Sequence, residues 1–218
     1  MLQALSDTAI FFREFTSRFE TTGSIVPSSR FLAKAITRHI AQRDESPIRV
    51  LECGPGTGVF THQIVRHLRP HDTFDVVELN ESFASILRRR FAEDGRWQPV
   101  AHLTTVHQLP LQQFAPSGPY DFIISGLPHI NFPTHVVQQI IDCYMRLLKP
   151  GGTLSYFEYM CIRPIRKAAT FGIDRHRIHE VDLLMNDHLG KHRVRRDSVF
   201  LNFPPAWVQH LTPSTDSN

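Results

Sequence analysis

At 218 residues the chain is long enough for one α/β domain with a single sizeable core and too short for two ordinary ones. Apolar residues at 41% and charged residues at 21% exclude a disordered or fibrous chain, and a formal charge of +3 does not by itself argue for nucleic-acid binding. No run approaches the roughly 18 consecutive apolar residues of a membrane span, and residues 1–20 lack the apolar centre of a signal peptide, so a cytoplasmic protein is expected.

In chain order, Phe11, Phe12, Phe15 and Phe19 fall at helical spacing and predict an amphipathic helix over 5–19. Turn residues follow over 23–29, and Ser28 or Ser29 is placed to cap a second helix through Phe31 toward Ile40. The chain then alternates. Strands are expected at 48–52, 73–78, 102–106, 120–125 and 154–158, with helices at 57–68, 81–92 and 134–147. That order predicts a mostly parallel sheet with helices on both faces.

A basic, largely helical stretch is expected to reach about His192; nine Lys/Arg and four Asp/Glu lie between Arg163 and Arg196. Strands at 198–203 and 206–211, flanking Pro204-Pro205, are expected to form an antiparallel edge pair. Residues 212–218 read as a flexible tail. Cys53, Cys143 and Cys161 are odd in number and lack metal-ligand spacing, so neither a disulfide framework nor a metal site is expected.

The chemistry concentrates in Glu52-Cys53-Gly54-Pro55-Gly56-Thr57-Gly58, at the first strand-to-helix junction. Its glycines let the backbone turn sharply and approach a ligand, while the next helix presents unpaired N–H groups. Glu78 closes the next strand about twenty residues on, where a carboxylate accepts from both hydroxyls of a ribose. A pyrophosphate would be repelled by Glu52, whereas a cationic ligand end would be attracted.

This stretch resembles motif I of class I S-adenosylmethionine-dependent methyltransferases, with Glu78 in the place of the ribose-binding acid. The resemblance implies a Rossmann-like, seven-stranded, mostly parallel sheet with S-adenosyl-L-methionine across its carboxyl ends. It also implies cofactor contacts from Leu79 and Asn80, from His107-Gln108-Leu109 near the adenine, and from Ser125-Gly126-Leu127. Many relatives carry an Asp where Leu109 or its neighbour stands.

A second resemblance spans nearly the whole chain and is to bacterial phospholipid N-methyltransferases. It rests on Phe12-Arg13-Glu14-Phe15 leading to Gly23-Ser24-Ile25-Val26-Pro27-Ser28-Ser29, on Ser125-Gly126-Leu127-Pro128, and on Phe200-Leu201-Asn202-Phe203-Pro204-Pro205-Ala206. It implies methylation of the headgroup amine of phosphatidylethanolamine and its partly methylated products toward phosphatidylcholine, with ornithine lipid a close alternative. Adenine in ribosomal RNA is the other acceptor class, and a catalytically silent membrane-binding module the non-enzymatic alternative. The segment Ser125-Gly126-Leu127-Pro128-His129 lacks the amide and the aromatic ring of N6-adenine methyltransferases, so nucleic acid is not the expected partner.

On this reading residues 1–43 form a helical extension that caps membrane or substrate, and 44–211 form the methyltransferase domain. Phe11, Phe12, Phe15 and Phe19 offer a membrane face or a core-packing stripe, and Arg163, Arg166, Lys167, Arg193, Arg195 and Arg196 offer charge to an anionic membrane surface. The expected location is peripheral, on the inner face of the cytoplasmic membrane. Methyl transfer needs nitrogen, carbon and sulfur in line, and an acceptor amine with a pKa near 10.4 needs roughly 4–5 kcal/mol to be neutral at pH 7. His129, Glu158 and Tyr159 are the candidate catalytic groups, and Tyr156, Phe157 and Tyr159 the rings available to a methylated cation.

Overall fold

The computed structural model describes residues 29–160 and 173–213. The helix predicted over 5–19, with its four phenylalanines, and the basic residues Arg163, Arg166 and Lys167 lie outside the described residues.

Helix α1 (Arg30–Ile36) starts where the Ser29 side chain accepts from the N–H of Leu32, and it buries Leu32, Ala33, Ala35 and Ile36 on one stripe. A break at Thr37 separates it from the single turn α2 (Arg38–Ala41), so the one helix expected here is two pieces. Then follow β1 (Arg49–Cys53), α3 (Val59–Ile64), β2 (Thr73–Val77), α4 (Glu81–Glu93), β3 (Thr104–His107), β4 (Tyr120–Ser125), α5 (Thr134–Leu147) and β5 (Leu148–Tyr159). Helix α6 (Ile173–His192) and the strands β6 (Arg193–Val199) and β7 (Ala206–Leu211) complete the order.

The seven strands run β3-β2-β1-β4-β5-β7-β6, parallel from β3 to β5, with β7 antiparallel to both β5 and β6. Strand order reverses between β1 and β4, the place where open α/β sheets leave a crevice at their carboxyl ends. One core lies between the sheet and α5–α6, built on Leu51, Ile123, Phe132, Val137, Ile140 and Tyr144. The other lies under α1–α4, built on Leu32, Ile36, Val50, Ile64, Leu87 and Trp97. Both faces are covered, as the largely buried β1 and β4 show.

Several boundaries differ from expectation, among them β5, which starts at Leu148 rather than 154 and takes in the turn expected at 149–152; three more have local reasons. Gly58, in the left-handed conformation at φ +86°, starts α3 at Val59, two residues late, and the helix stops at Ile64 rather than 68. A 3₁₀ turn over Gln98–Leu103 takes the first residues of the strand expected at 102. The last difference matters most: the strand expected over 198–203 is β6, Arg193–Val199, and residues 200–205 are the turn into β7. Strand β6 is the sheet edge, and its exposed arginines at 193, 195 and 196 make it a poor template for a further strand. Among the described residues no helix is long and apolar enough to cross a membrane.

Candidate active site

Strand β1 delivers Glu52 and Cys53 to the reversal point, and the chain leaves through Gly54, Gly56 and Gly58, all at positive φ. The loop is pinned from both sides. Gly54 N–H donates to the carbonyl of Val77 at 2.9 Å, and Gly126 N–H donates to the carbonyl of Cys53 at 2.8 Å. A side chain at Gly56 would meet nothing within 4 Å, so this point of the loop faces open space.

Glu78, immediately after β2, turns its carboxylate onto that loop. One oxygen accepts from Gly56 N–H at 3.1 Å and the other from Asn80 N–H at 2.8 Å. Burial lifts its pKa above the ordinary carboxyl value, and the backbone donors offset part of the shift. Asn80 caps α4 by accepting from Phe83 N–H, and half-buried Leu79 packs on the core.

Glu52 is fully buried. Its Oε2 accepts from the Thr61 hydroxyl at 2.7 Å, while Oε1 has no hydrogen-bond partner among the described residues. Burial pushes its pKa up to about 8, opposed by the Thr61 hydrogen bonds and assisted by the neighbouring Glu78 charge. A cation close by would reverse that shift.

The third side of the crevice is Ser125-Gly126-Leu127 at the end of β4. Ser125 is completely buried; its Oγ lies 2.6 Å from the Tyr144 hydroxyl of α5 and accepts from Leu127 N–H at 3.2 Å. His129 follows in a single 3₁₀ turn and sits edge-on to Tyr144 and Tyr156, with ring centroids 6.1 and 5.3 Å away. Strand alternation puts Glu158 on the same sheet face as Tyr156. Tyr159 falls on the opposite face, edge-on to Phe157, where burial raises its pKa. The structure therefore groups His129 with Tyr144 and Tyr156, and separates Tyr159 from them.

Of the residues expected near the adenine, His107 ends β3 opposite Val77, but its Nε2 lies 2.7 Å from Asp75, which also accepts from the Tyr120 hydroxyl at 2.7 Å. Gln108 is exposed and Leu109 half-buried. Thr57 is exposed and Pro55 buried. Arg193, Arg195 and Arg196 stand on β6: Arg195 pairs with Asp197 at 2.9 Å and Arg196 lies over Trp207. Thr61 and Tyr144 were not singled out in the sequence. The signal for Tyr144 was its place in the apolar stripe of α5, because a buried phenol needs a partner.

These residues fit S-adenosyl-L-methionine. Gly54–Gly58 and Glu78 would hold its nucleoside, and a buried acid with an unused oxygen at Glu52 suits its cationic end. Bound there, the group supplies an electrophilic methyl on sulfur.

The fold is the seven-stranded fold of class I methyltransferases, and the residues at its carboxyl end suit an enzyme that uses S-adenosyl-L-methionine. Residues 50–152 match the model of a family described as a methyltransferase domain. An ornithine lipid N-methyltransferase of Singulisphaera acidiphila is 29% identical over 157 residues, spanning 72% of this chain and 80% of that enzyme. Among solved structures, the O-methyltransferase TomG of Streptomyces achromogenes, in complex with S-adenosylmethionine, has a TM-score of 0.62 at 19% identity, covering 97% of this chain and 90% of that one. The N-methyltransferase NodS of Bradyrhizobium japonicum, in complex with S-adenosyl-L-homocysteine, has a TM-score of 0.59 at 14% identity, covering 85% and 88%. At these identities the two structures speak to fold.

Proposed function

We propose that the protein transfers methyl groups from S-adenosyl-L-methionine to the headgroup amine of a membrane aminolipid. The observation that carries this reading is the similarity to an ornithine lipid N-methyltransferase over 72% of the chain. The amine of ornithine lipid is the first acceptor to test. The ethanolamine headgroup of phosphatidylethanolamine is the second, supported by the resemblance of the 12–29, 125–128 and 200–206 segments to phospholipid N-methyltransferases.

The local chemistry supports an aliphatic amine over a nucleobase. The polar group at position 125 is a fully buried hydroxyl already engaged by Tyr144 and the Leu127 N–H, so it has no face to offer an exocyclic base amine. Beside it, the rings of His129, Tyr144 and Tyr156 make an aromatic corner that suits an ammonium less hydrated with each methyl added. The amine loses its proton before transfer; His129 and Glu158 are the groups proposed to receive or steer it.

The test is to incubate the protein with S-adenosylmethionine labelled in its methyl group and, separately, with vesicles containing ornithine lipid, vesicles containing phosphatidylethanolamine, and bulk RNA. Label is expected in the organic extract of one or both vesicle samples. Label confined to RNA overturns the proposal.

A further inference from the structure

The turn between β6 and β7 exposes three large apolar side chains: Phe200 is 73% exposed, Leu201 70% and Phe203 79%. They are not on a loose loop. Between them Asn202 is buried, its Oδ1 accepting from Ser29 N–H at 2.8 Å and its Nδ2 donating to the Pro204 carbonyl at 2.7 Å. The Pro205 carbonyl in turn accepts from Met160 N–H at 2.8 Å. A turn fixed at its polar centre holds its apolar side chains outward, against the tendency of such groups to leave water.

The topology places this turn. Strand β7 is antiparallel to β5 and pairs Ala206 with Tyr159, so the turn sits at the carboxyl end of the sheet, the edge that carries the glycine loop and Ser125. Two described residues anchor it there: Ser29, whose N–H donates to Asn202, and Met160, whose N–H donates to the Pro205 carbonyl.

The surroundings are cationic. Phe200 and Leu201 share a groove of about 660 Å³ with Phe31, Lys34 and Arg38 of α1–α2. The acid lining it, Asp197, is neutralised by Arg38 at 2.8 Å and Arg195 at 2.9 Å. Arg30 lies over the Phe31 ring, 4.9 Å from its centroid. Apolar side chains at a tip with a positive collar behind them match a bilayer with anionic headgroups, whose acyl region takes the tip and whose surface attracts the collar. By contrast Arg193, at the far end of β6, stands roughly 20 Å from the turn.

We infer that the Phe200-Leu201-Asn202-Phe203 turn is a membrane-inserting wedge that docks the carboxyl edge of the sheet on an anionic lipid bilayer. The inference rests on the aminolipid reading of the active site, since docking by this edge turns the crevice toward the headgroups. It names an occupant for a surface that a second copy of the chain could otherwise cover.

The experiment uses the full chain and vesicles of phosphatidylglycerol and phosphatidylethanolamine. The triple variant Phe200→Ser, Leu201→Ser, Phe203→Ser should keep its melting temperature and its affinity for S-adenosylmethionine, yet lose at least about tenfold in vesicle partitioning. Independently, the Leu201→Trp variant should gain emission that is quenched by lipids brominated in the acyl chain. Unchanged partitioning of the triple variant, or unquenched emission at position 201, overturns the inference. So does a triple variant that changes from dimer to monomer while partitioning as before. If the protein inserts this turn but methylates no lipid, the proposed function fails and the wedge stands.

Discussion

The α-carbon of Gly126 rests against the carbonyl oxygen of Gly54, so close that a side chain at 126 would come within 2.4 Å of that oxygen. The contact joins the loops after β1 and β4 and is closed by the hydrogen bond from Gly126 N–H to Cys53. Gly56, two residues along the first loop, is the opposite case, because a side chain there meets nothing within 4 Å.

These two glycines separate packing from binding. Gly126→Ala must push the two loops apart, and overpacking of this kind costs about 1–3 kcal/mol, so melting temperature and cofactor affinity should fall together. Gly56→Ala bears only the strain of its positive φ, about 1 kcal/mol, while its methyl occupies the cofactor's side of the loop. Its loss of affinity should therefore far exceed its loss of stability. Thermal melts beside calorimetric titration with S-adenosylmethionine check both; equal profiles for the two variants would contradict the assignment of the open side.

Tyr144 and Ser125 form a buried pair with oxygens 2.6 Å apart. Tyr144→Phe leaves the Ser125 hydroxyl only the Leu127 N–H, and a loss of about 1–2 kcal/mol in stability is expected. A double-mutant cycle with Ser125→Ala should return a coupling of roughly 0.5–3 kcal/mol. A coupling of zero would show that each hydroxyl finds its hydrogen bond elsewhere.

The parts of this architecture carried by the backbone and its nearest neighbours in sequence were legible before the fold. The alternation from 48 to 158, the glycine loop and the acid ending β2 all follow from periodicity and turn chemistry, and β4 and β7 begin and end where expected. The strand expected over 198–203 was misplaced because Phe200, Leu201 and Phe203 imitate a buried strand, whereas they are exposed, and the true strand carries the charges of an edge. Thr61, Tyr144 and the separation of Tyr159 from His129 depend on helices crossing the sheet, which no local spacing encodes.

Glu78 is the acid expected to meet the cofactor's ribose, and its two oxygens are held by the N–H groups of Gly56 and Asn80. Glu78→Ala removes a charged acceptor whose hydrogen bonds are worth about 1.5–3 kcal/mol each, so S-adenosylmethionine affinity should fall on the order of 100-fold. Glu78→Gln, which keeps one carbonyl acceptor, should fall between. Wild-type affinity in the alanine variant would remove Glu78 from the site.

Glu52 gives the site a pH signature. Its carboxyl ionises near 4.5 in the unfolded chain and at about 8 in the fold, so between those values the folded state holds the extra proton. Stability therefore declines as pH rises through that window, and the penalty is complete above about 8. Glu52→Gln keeps the Thr61 contact and cannot ionise, so its melting temperature should vary less from pH 5 to 8 and exceed the wild type's at the alkaline end. Cofactor binding carries the opposite sign: a cation beside Glu52 favours the ionised form, so wild-type affinity rises toward pH 8 with release of a proton, and the glutamine variant loses that component. Glu78, lifted by burial as well, adds pH dependence of the same sign to both proteins, and the difference between them reports Glu52 together with its coupling to Glu78. Titrations in two buffers of different ionisation heat measure the proton directly, and identical release by wild type and Glu52→Gln would place the titrating group elsewhere.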